Sequence, residues 1–194
     1  MTHGAPRDLL SRVERHLIEW FDAVPDRASV SFVGVEPIEV LRFAEPGGGD
    51  RSWSLVTLGM SRRPMTTDSD LAAGGRPRAE LLLRCGGLGV DAWRQLAVCA
   101  AAPVVEGVVY PAGSTVDLGA PLCAGARCTG GIIEASDVPT FRTDAEQVDI
   151  LRLVPATSTE LAWCRARGAT ALRERWAREA TDLLDLSRAA VRLG

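Results

Sequence analysis

The chain has 194 residues, a hydrophobic fraction of 46%, a charged fraction of 24% and a formal charge of −3. Such a length suits one domain that buries roughly 70% of the surface its unfolded form exposes, and the acidic balance excludes a protein whose main partner is a nucleic-acid backbone. No stretch approaches the ~18 consecutive apolar residues of a membrane span, and the first residues, Met-Thr-His-Gly-Ala-Pro-Arg-Asp, lack the apolar core of a secretory signal, so a cytoplasmic location is expected.

Asp8 can cap a first helix whose apolar residues Leu9, Leu10, Val13, Leu17, Trp20 and Phe21 share one face and which ends before Pro25. Three β-rich runs follow, Ser29 to Val33, Pro37 to Phe43 and Trp53 to Leu58, divided by Gly34 and by the turn Gly47-Gly48-Gly49-Asp50, as in a meander. The third run breaks off in "LVTLGMSRRPM" (Leu55 to Met65) and leads into residues 66–78, whose turn chemistry predicts a long exposed loop. Ala79 to Arg84 reads as a strand. Asp91 can cap a helix from Ala92 to Ala102, with Pro103 as its stop.

Strands are expected again at Val104 to Tyr110, Thr115 to Leu118, Thr129 to Glu134 and Val148 to Val154. Thr157 and Glu160 form the Thr-x-x-Glu capping box of a helix that runs through Arg167 to Gly168. A last helix from Thr170 carries Leu172, Trp176, Leu183, Leu184 and Val191. The five tryptophans, Trp20, Trp53, Trp93, Trp163 and Trp176, fall within element patterns, where core packing is the default. Helices interrupt the strands irregularly, so the fold class is α+β: one domain, a mixed, mostly antiparallel sheet with helices on its faces, in the manner of an α/β/α sandwich. Within it, residues 1–27 form an N-terminal helix packed on the domain of residues 28–194.

Few residues offer chemistry. Five cysteines, Cys85, Cys99, Cys123, Cys128 and Cys164, suit reduced, buried thiols. Cys123 and Cys128 lack the second half of a metal site, because His3 and His16 lie far away, and no metal is expected. Ser61 has no lysine and no nearby histidine to activate it. Glu80, Glu134, Asp137 and Asp144 have no spacing that pairs them for acid–base work and read as solvated surface groups. Gly87-Leu88-Gly89-Val90-Asp91-Ala92 matches Gly-x-Gly-x-x-Ala between a strand and a helix, with Glu106 downstream. Asp91, however, would set a like charge where a pyrophosphate needs free amides. No cofactor is expected, and a strand-to-helix turn that needs glycine is the preferred reading. The C-terminal stretch from Trp163 holds seven arginines and four acids, interleaved as on a solvated face rather than a nucleic-acid patch. All 22 basic residues are arginine, and lysine and asparagine are absent, a bias that points to a GC-rich bacterial genome.

The segment "WSLVTLGMSRRPM" (Trp53 to Met65), followed by Ala79-Glu80-Leu81, resembles the suppressor-of-fused family, in which a T-x-G-M-S-x-x-P-M block precedes an A-E-L strand. Trp93, Leu96-Ala97, Pro103, Gly131-Ile132-Ile133, Val154-Pro155, Glu160-Leu161, Gly168 and Asp185-x-x-Arg188 extend the similarity over residues 28 to 190. Two places depart from the family pattern: Cys85-Gly86-Gly87-Leu88-Gly89 replaces its Leu-Pro and Trp, and Tyr110-Pro111-Ala112-Gly113 replaces a Gly-His-Thr-like turn.

The resemblance implies a non-catalytic protein-binding module, and the residues themselves call for no cofactor, metal, nucleic-acid or membrane partner. Its partner would be a toxin domain, as for the immunity-type proteins that bacterial single-domain members resemble, or an extended peptide captured as an added strand. The family-motif residues, candidates for proximity to that partner, are Thr57, Gly59, Met60, Ser61, Pro64, Met65, Glu80 and Glu160. Gly59 is expected to let the strand leave the sheet, Met60 to fill an apolar gap, and Ser61 and Thr57 to satisfy the turn's backbone, while the loop at 66–78 helps contact the partner. The alternative is a small nucleotide-binding enzyme or sensor that uses the Gly87–Ala92 turn.

Overall fold

Helix α1 (Pro6–Phe21) starts on a proline, whose fixed φ and missing donor suit a first helical turn. Leu9, Leu10, Val13 and Leu17 are buried along one stripe, each burial contributing roughly 1.5–3 kcal/mol. Asp8 lies inside the first turn, not at the cap. Trp20, at the helix end, is 44% exposed instead of packed. The computed structural model describes residues 6–45, 52–65 and 77–193. The glycine-rich turn at 47–50 and residues 66–76 of the expected loop lie outside the described residues.

A meander of four antiparallel strands comes next: β1 (Asp26–Phe32), β2 (Val35–Ala44), β3 (Ser52–Leu58) and β4 (Arg78–Gly86). Arg78, expected in the loop, opens β4. A 3₁₀ turn (Gly87–Ala92) then leads into α2 (Trp93–Glu106). Ala92 rather than Asp91 precedes the helix, with no side-chain cap.

Pro103 does not stop this helix; it lies inside it, and Val104 to Glu106 are helical where a strand was expected. Proline removes the amide that would bond the carbonyl four residues back, that of Cys99. The Tyr110 hydroxyl donates to this Cys99 carbonyl at 2.7 Å. A buried tyrosine thus supplies the missing donor, and the helix runs on to Gly107, which caps it in the left-handed region.

The second half holds β5 (Thr115–Asp117), β6 (Cys128–Ala135), the two-residue β7 (Phe141–Arg142), β8 (Gln147–Thr157), α3 (Ser158–Arg167) and α4 (Ala169–Arg178). The expected final helix ends at Arg178, and Leu183, Leu184 and Val191 lie beyond it. Ala180 takes φ 47°, and the Asp182 and Asp185 carboxylates accept from the amides of Leu184 and Ser187, local bonds that compete with helix.

The strand order is β1-β2-β3-β4-β8-β6-β5, with β7 on β8. β4 and β8 run parallel, because the chain crosses over through α2 before returning; the other described pairings are antiparallel. One face, with Val40, Leu55, Leu81, Leu83, Ile133 and Leu153, packs beneath α2. The opposite face is shared: α1 covers Leu41, Val56, Leu82 and Ile150, while α3 and α4 cover Ile132, Val154 and Ala156. Leu81-Leu82-Leu83 can be continuously apolar because both faces are roofed. The fold is therefore a single α+β domain, a mixed eight-stranded sheet between helical layers.

Candidate functional site

The family-motif residues gather around two fully buried carboxylates. The first is Glu80, on β4. Thr57 on β3 donates its hydroxyl to Glu80 Oε2 at 2.7 Å. The chain then turns at Gly59, whose φ of 133° is one that side-chain-bearing residues rarely adopt. This turn, Met60–Arg62, aims three successive amides at the carboxylate: Gly59 at 2.8 Å, Met60 at 3.3 Å and Ser61 at 3.0 Å. The Ser61 hydroxyl adds a fifth bond at 2.6 Å. Thr57 Oγ1 in turn accepts the amide of Leu81. Arg78 closes the outside of the turn, donating to the carbonyls of Ser61 and Arg62 at 2.6 Å each.

Glu80 is thus neither a surface group nor a free acid; it is the acceptor around which the strand exit is wound, and Ser61 and Thr57 serve it directly. Burial pushes its carboxyl above the usual glutamate range, against the pull of the Ser61, Gly59 and Thr57 bonds. The hydroxyls of Ser61 and Thr57 can reverse roles to receive a proton; the three amides cannot. Met60 and Met65 are buried in the core beneath α2, and Pro64 is half-buried at the segment's end.

The second carboxylate is Glu160, three residues into α3 from its cap. The reciprocal capping box is present: the Glu160 amide donates to Thr157 Oγ1 and the Thr157 amide donates to Glu160 Oε2 at 2.8 Å. The same carboxylate accepts the Trp176 indole N–H at 3.0 Å and the Val191 amide at 3.1 Å. Arg188 grips it bidentately at 2.7 and 3.0 Å, while also donating to the Pro155 carbonyl. Burial would raise this carboxyl, but the Arg188 and Thr157 bonds and the Trp176 indole hold it below the usual range. Arg188, the last residue of the Asp185-x-x-Arg188 match, has no role that the sequence alone assigns; its partner is this remote carboxylate. Asp185 accepts from the Ser187 amide and hydroxyl, and this local turn brings Arg188 back under α3.

The remaining candidates disperse. Glu134 pairs with Arg173 and is partly buried, while Asp137, paired with Arg84, and Asp144 are exposed as expected. His16 Nε2 donates to the Pro139 carbonyl at 2.7 Å. All five cysteines are free, and burial keeps them protonated, with Cys85 and Cys99 raised to about 12 and Cys128 to about 11, which leaves them poor nucleophiles. Among the described residues, no group of three or more His, Cys, Asp or Glu side chains is gathered as metal ligands, and no helix is long and apolar enough to cross a membrane.

The glycine turn at 87–92 borders a groove of about 530 Å³. Gly89 is demanded by packing there: a Cβ would lie 2.5 Å from that of Cys85. Asp182 and Asp185 line the groove and, among the described residues, no arginine does, an electrostatic setting unlike that which holds phosphates.

An eight-stranded mixed sheet with helices on both faces, its strand exit wound on one buried carboxylate and its last helices tied to another, defines a scaffold of the suppressor-of-fused type. Residues 34–189 match the family model described as Suppressor of fused protein (SUFU), and the chain belongs to that family. No curated protein sequence matches it. Among solved structures, a protein of Neisseria gonorrhoeae FA 1090 assigned as a SUFU homolog superposes with a TM-score of 0.71 at 19% identity, covering 95% of this chain and 97% of its own. A chain of the Sufu–Fu complex gives 0.71 at 12% identity over 94% of this chain and 91% of its own. Drosophila Suppressor of Fused gives 0.68 at 13% identity over 94% of this chain and half of its own. At such identities the likeness is one of fold.

Proposed function

We propose that this protein is a non-catalytic protein-binding domain, an immunity-type antagonist that neutralises a partner toxin in the bacterial cytoplasm by occluding its surface. The observation that carries the reading is the fate of the two acidic motif residues: Glu80 and Glu160 are both fully buried and fully bonded, so neither can meet a substrate. The free, protonated thiols fit a reducing compartment, and the solved Sufu–Fu complex supports a family scaffold built for a protein partner. The all-arginine composition supports a bacterial setting.

We place part of the partner contact at residues 66–78 and at the half-buried Pro64 beside them, the other motif residues being buried. Affinity would come from a few buried aromatic or arginine anchors, with the net negative charge steering encounter.

Co-expression in a bacterial host with the product of an adjacent toxin-like gene tests the proposal. Restored growth and a co-purifying stoichiometric complex are expected. Continued killing, or saturable micromolar heat on titrating the purified protein with NAD or ATP, would overturn it in favour of the nucleotide-binding alternative.

A further inference from the structure

We propose that the groove between α4 and the exposed end of the β6–β8 pair is a receptor for an acidic side chain of a partner protein, with Arg152 as the residue that binds its carboxylate. This rests on the protein-binding reading above and adds a site to it.

Arg152 stands on β8 directly opposite Glu134 on β6 and Leu82 on β4, on the face roofed by helices. It falls in the gap between the ground covered by α1 and that covered by α3 and α4. Ionic groups fill this gap. Arg84 takes both Glu45, at 3.4 Å, and Asp137, at 2.8 Å, and Arg173 on α4 takes Glu134. Glu134 and Asp137 are each engaged by another arginine, and Asp137 acts on Arg152 only through space. Arg152 is left over: among the described residues its side chain makes no hydrogen bond or ion pair, and its Nε is buried without a partner.

A guanidinium that has surrendered water at one nitrogen and gained no acceptor carries a desolvation cost that an incoming carboxylate removes. The planar fork offers that carboxylate two parallel donors.

The surroundings define the rest of the ligand. The groove has a volume of about 270 Å³, and Val154, Trp176 and Leu183 supply apolar wall while Arg173 stands at the rim. Cofactor and drug-sized ligands occupy clefts of roughly 300–1,000 Å³, so this one takes a side chain or two rather than a nucleotide. Within the groove's own lining, with Glu134 answered by Arg173, the balance is one positive charge, that of Arg152, in a chain whose net charge is −3. Charge complementarity therefore selects an acidic residue, and the apolar wall selects a hydrophobic neighbour beside it. Apolar wall and arginine together are the composition of binding hot spots.

The test is an NMR titration that follows the Arg152 Nε–Hε resonance and, so that every variant has a readout, the backbone amides of Val154 and Thr181, which line the groove. The probes are the capped pentapeptide Ala-Leu-Asp-Leu-Ala, its twin with asparagine at the centre, and inorganic phosphate. A saturable shift with the aspartate peptide is expected, with the asparagine twin more than about tenfold weaker, since a hydrogen bond to a charged group is worth at least that factor. Arg152→Gln should remove the discrimination. Ala177→Trp, on the exposed side of α4 where it lines the groove, should block the aspartate peptide while leaving Arg152 in place, so the answer does not depend on the first variant folding. No saturable shift, equal response to both peptides, discrimination retained in Arg152→Gln, or binding of phosphate but not peptide would each overturn the site. None of these outcomes bears on growth rescue by the whole domain, which tests the parent reading separately.

Discussion

Glu80 and Glu160 are both buried to zero exposure and both accept five or more hydrogen bonds, yet their protons are held differently. Around Glu80 the donors are amides and hydroxyls alone. Glu160 has a similar set plus the guanidinium of Arg188. Dipoles can satisfy the lone pairs of a buried carboxylate without neutralising its charge; a bidentate arginine does both. The pKa directions follow: burial wins at Glu80 and raises it, while at Glu160 the arginine and its neighbours win and lower it. One node is a turn organiser that tolerates a proton, and the other is an ion pair that locks the C-terminal segment to α3.

The largest expected effect comes from removing the charge at the second node. Glu160→Gln leaves Arg188 buried without its anion, for which roughly 3–5 kcal/mol of stability should be lost, read from urea unfolding followed by tryptophan fluorescence. The pH dependence sharpens this. The folded protein binds a proton at Glu160 less readily than the unfolded chain, so the stability it contributes is present above the ordinary value of 4.5 and is lost as pH falls through the depressed folded pKa. The deficit of Glu160→Gln should therefore be greatest near neutrality and shrink in acid.

Glu80→Gln should cost less, roughly 1–3 kcal/mol, because the amide nitrogen now faces donors and leaves some unpaired, but no buried ion is orphaned. Its pH dependence has the opposite sign. A carboxyl raised in the folded state contributes most below 4.5, and that contribution is lost as pH rises through the folded pKa. The deficit of Glu80→Gln should be greatest in acid and narrow toward neutrality. Parallel pH slopes for the two variants would erase the distinction between the nodes.

Much of this was legible in the sequence where one local signal decided the outcome. The Thr157/Glu160 box and the Gly168 stop mark α3 to the residue, and periodicity places α1, the first four strands and the strands at β5, β6 and β8, but neither the end of α2 nor the short β7. What escaped depended on distant partners. Nothing local distinguishes Glu80 from Glu134, because the amides that bury it come from a turn some twenty residues earlier. Pro103 reads as a helix stop until Tyr110 supplies the donor it lacks. The hydrophobic stripe from Leu172 to Val191 reads as one helix, whereas Asp182 and Asp185 divert the chain so that Arg188 can reach Glu160. Polar residues whose partners are remote carry no periodic signature, and both nodes are made of such residues.

The smallest change divides the second node into its parts. Thr157→Ala deletes the side-chain acceptor of the Glu160 amide and should cost about 1 kcal/mol, the usual worth of a threonine cap. It leaves the backbone amide of Thr157 donating to Glu160 Oε2 and leaves Arg188 in place. If the arginine is what holds the carboxyl down, the variant should lose stability by a nearly constant amount across pH, its acid limb parallel to that of the unaltered protein. Should the limb instead flatten as it does in Glu160→Gln, the capping box rather than Arg188 would be setting the proton affinity, and the contrast between the two carboxylates would need a different cause.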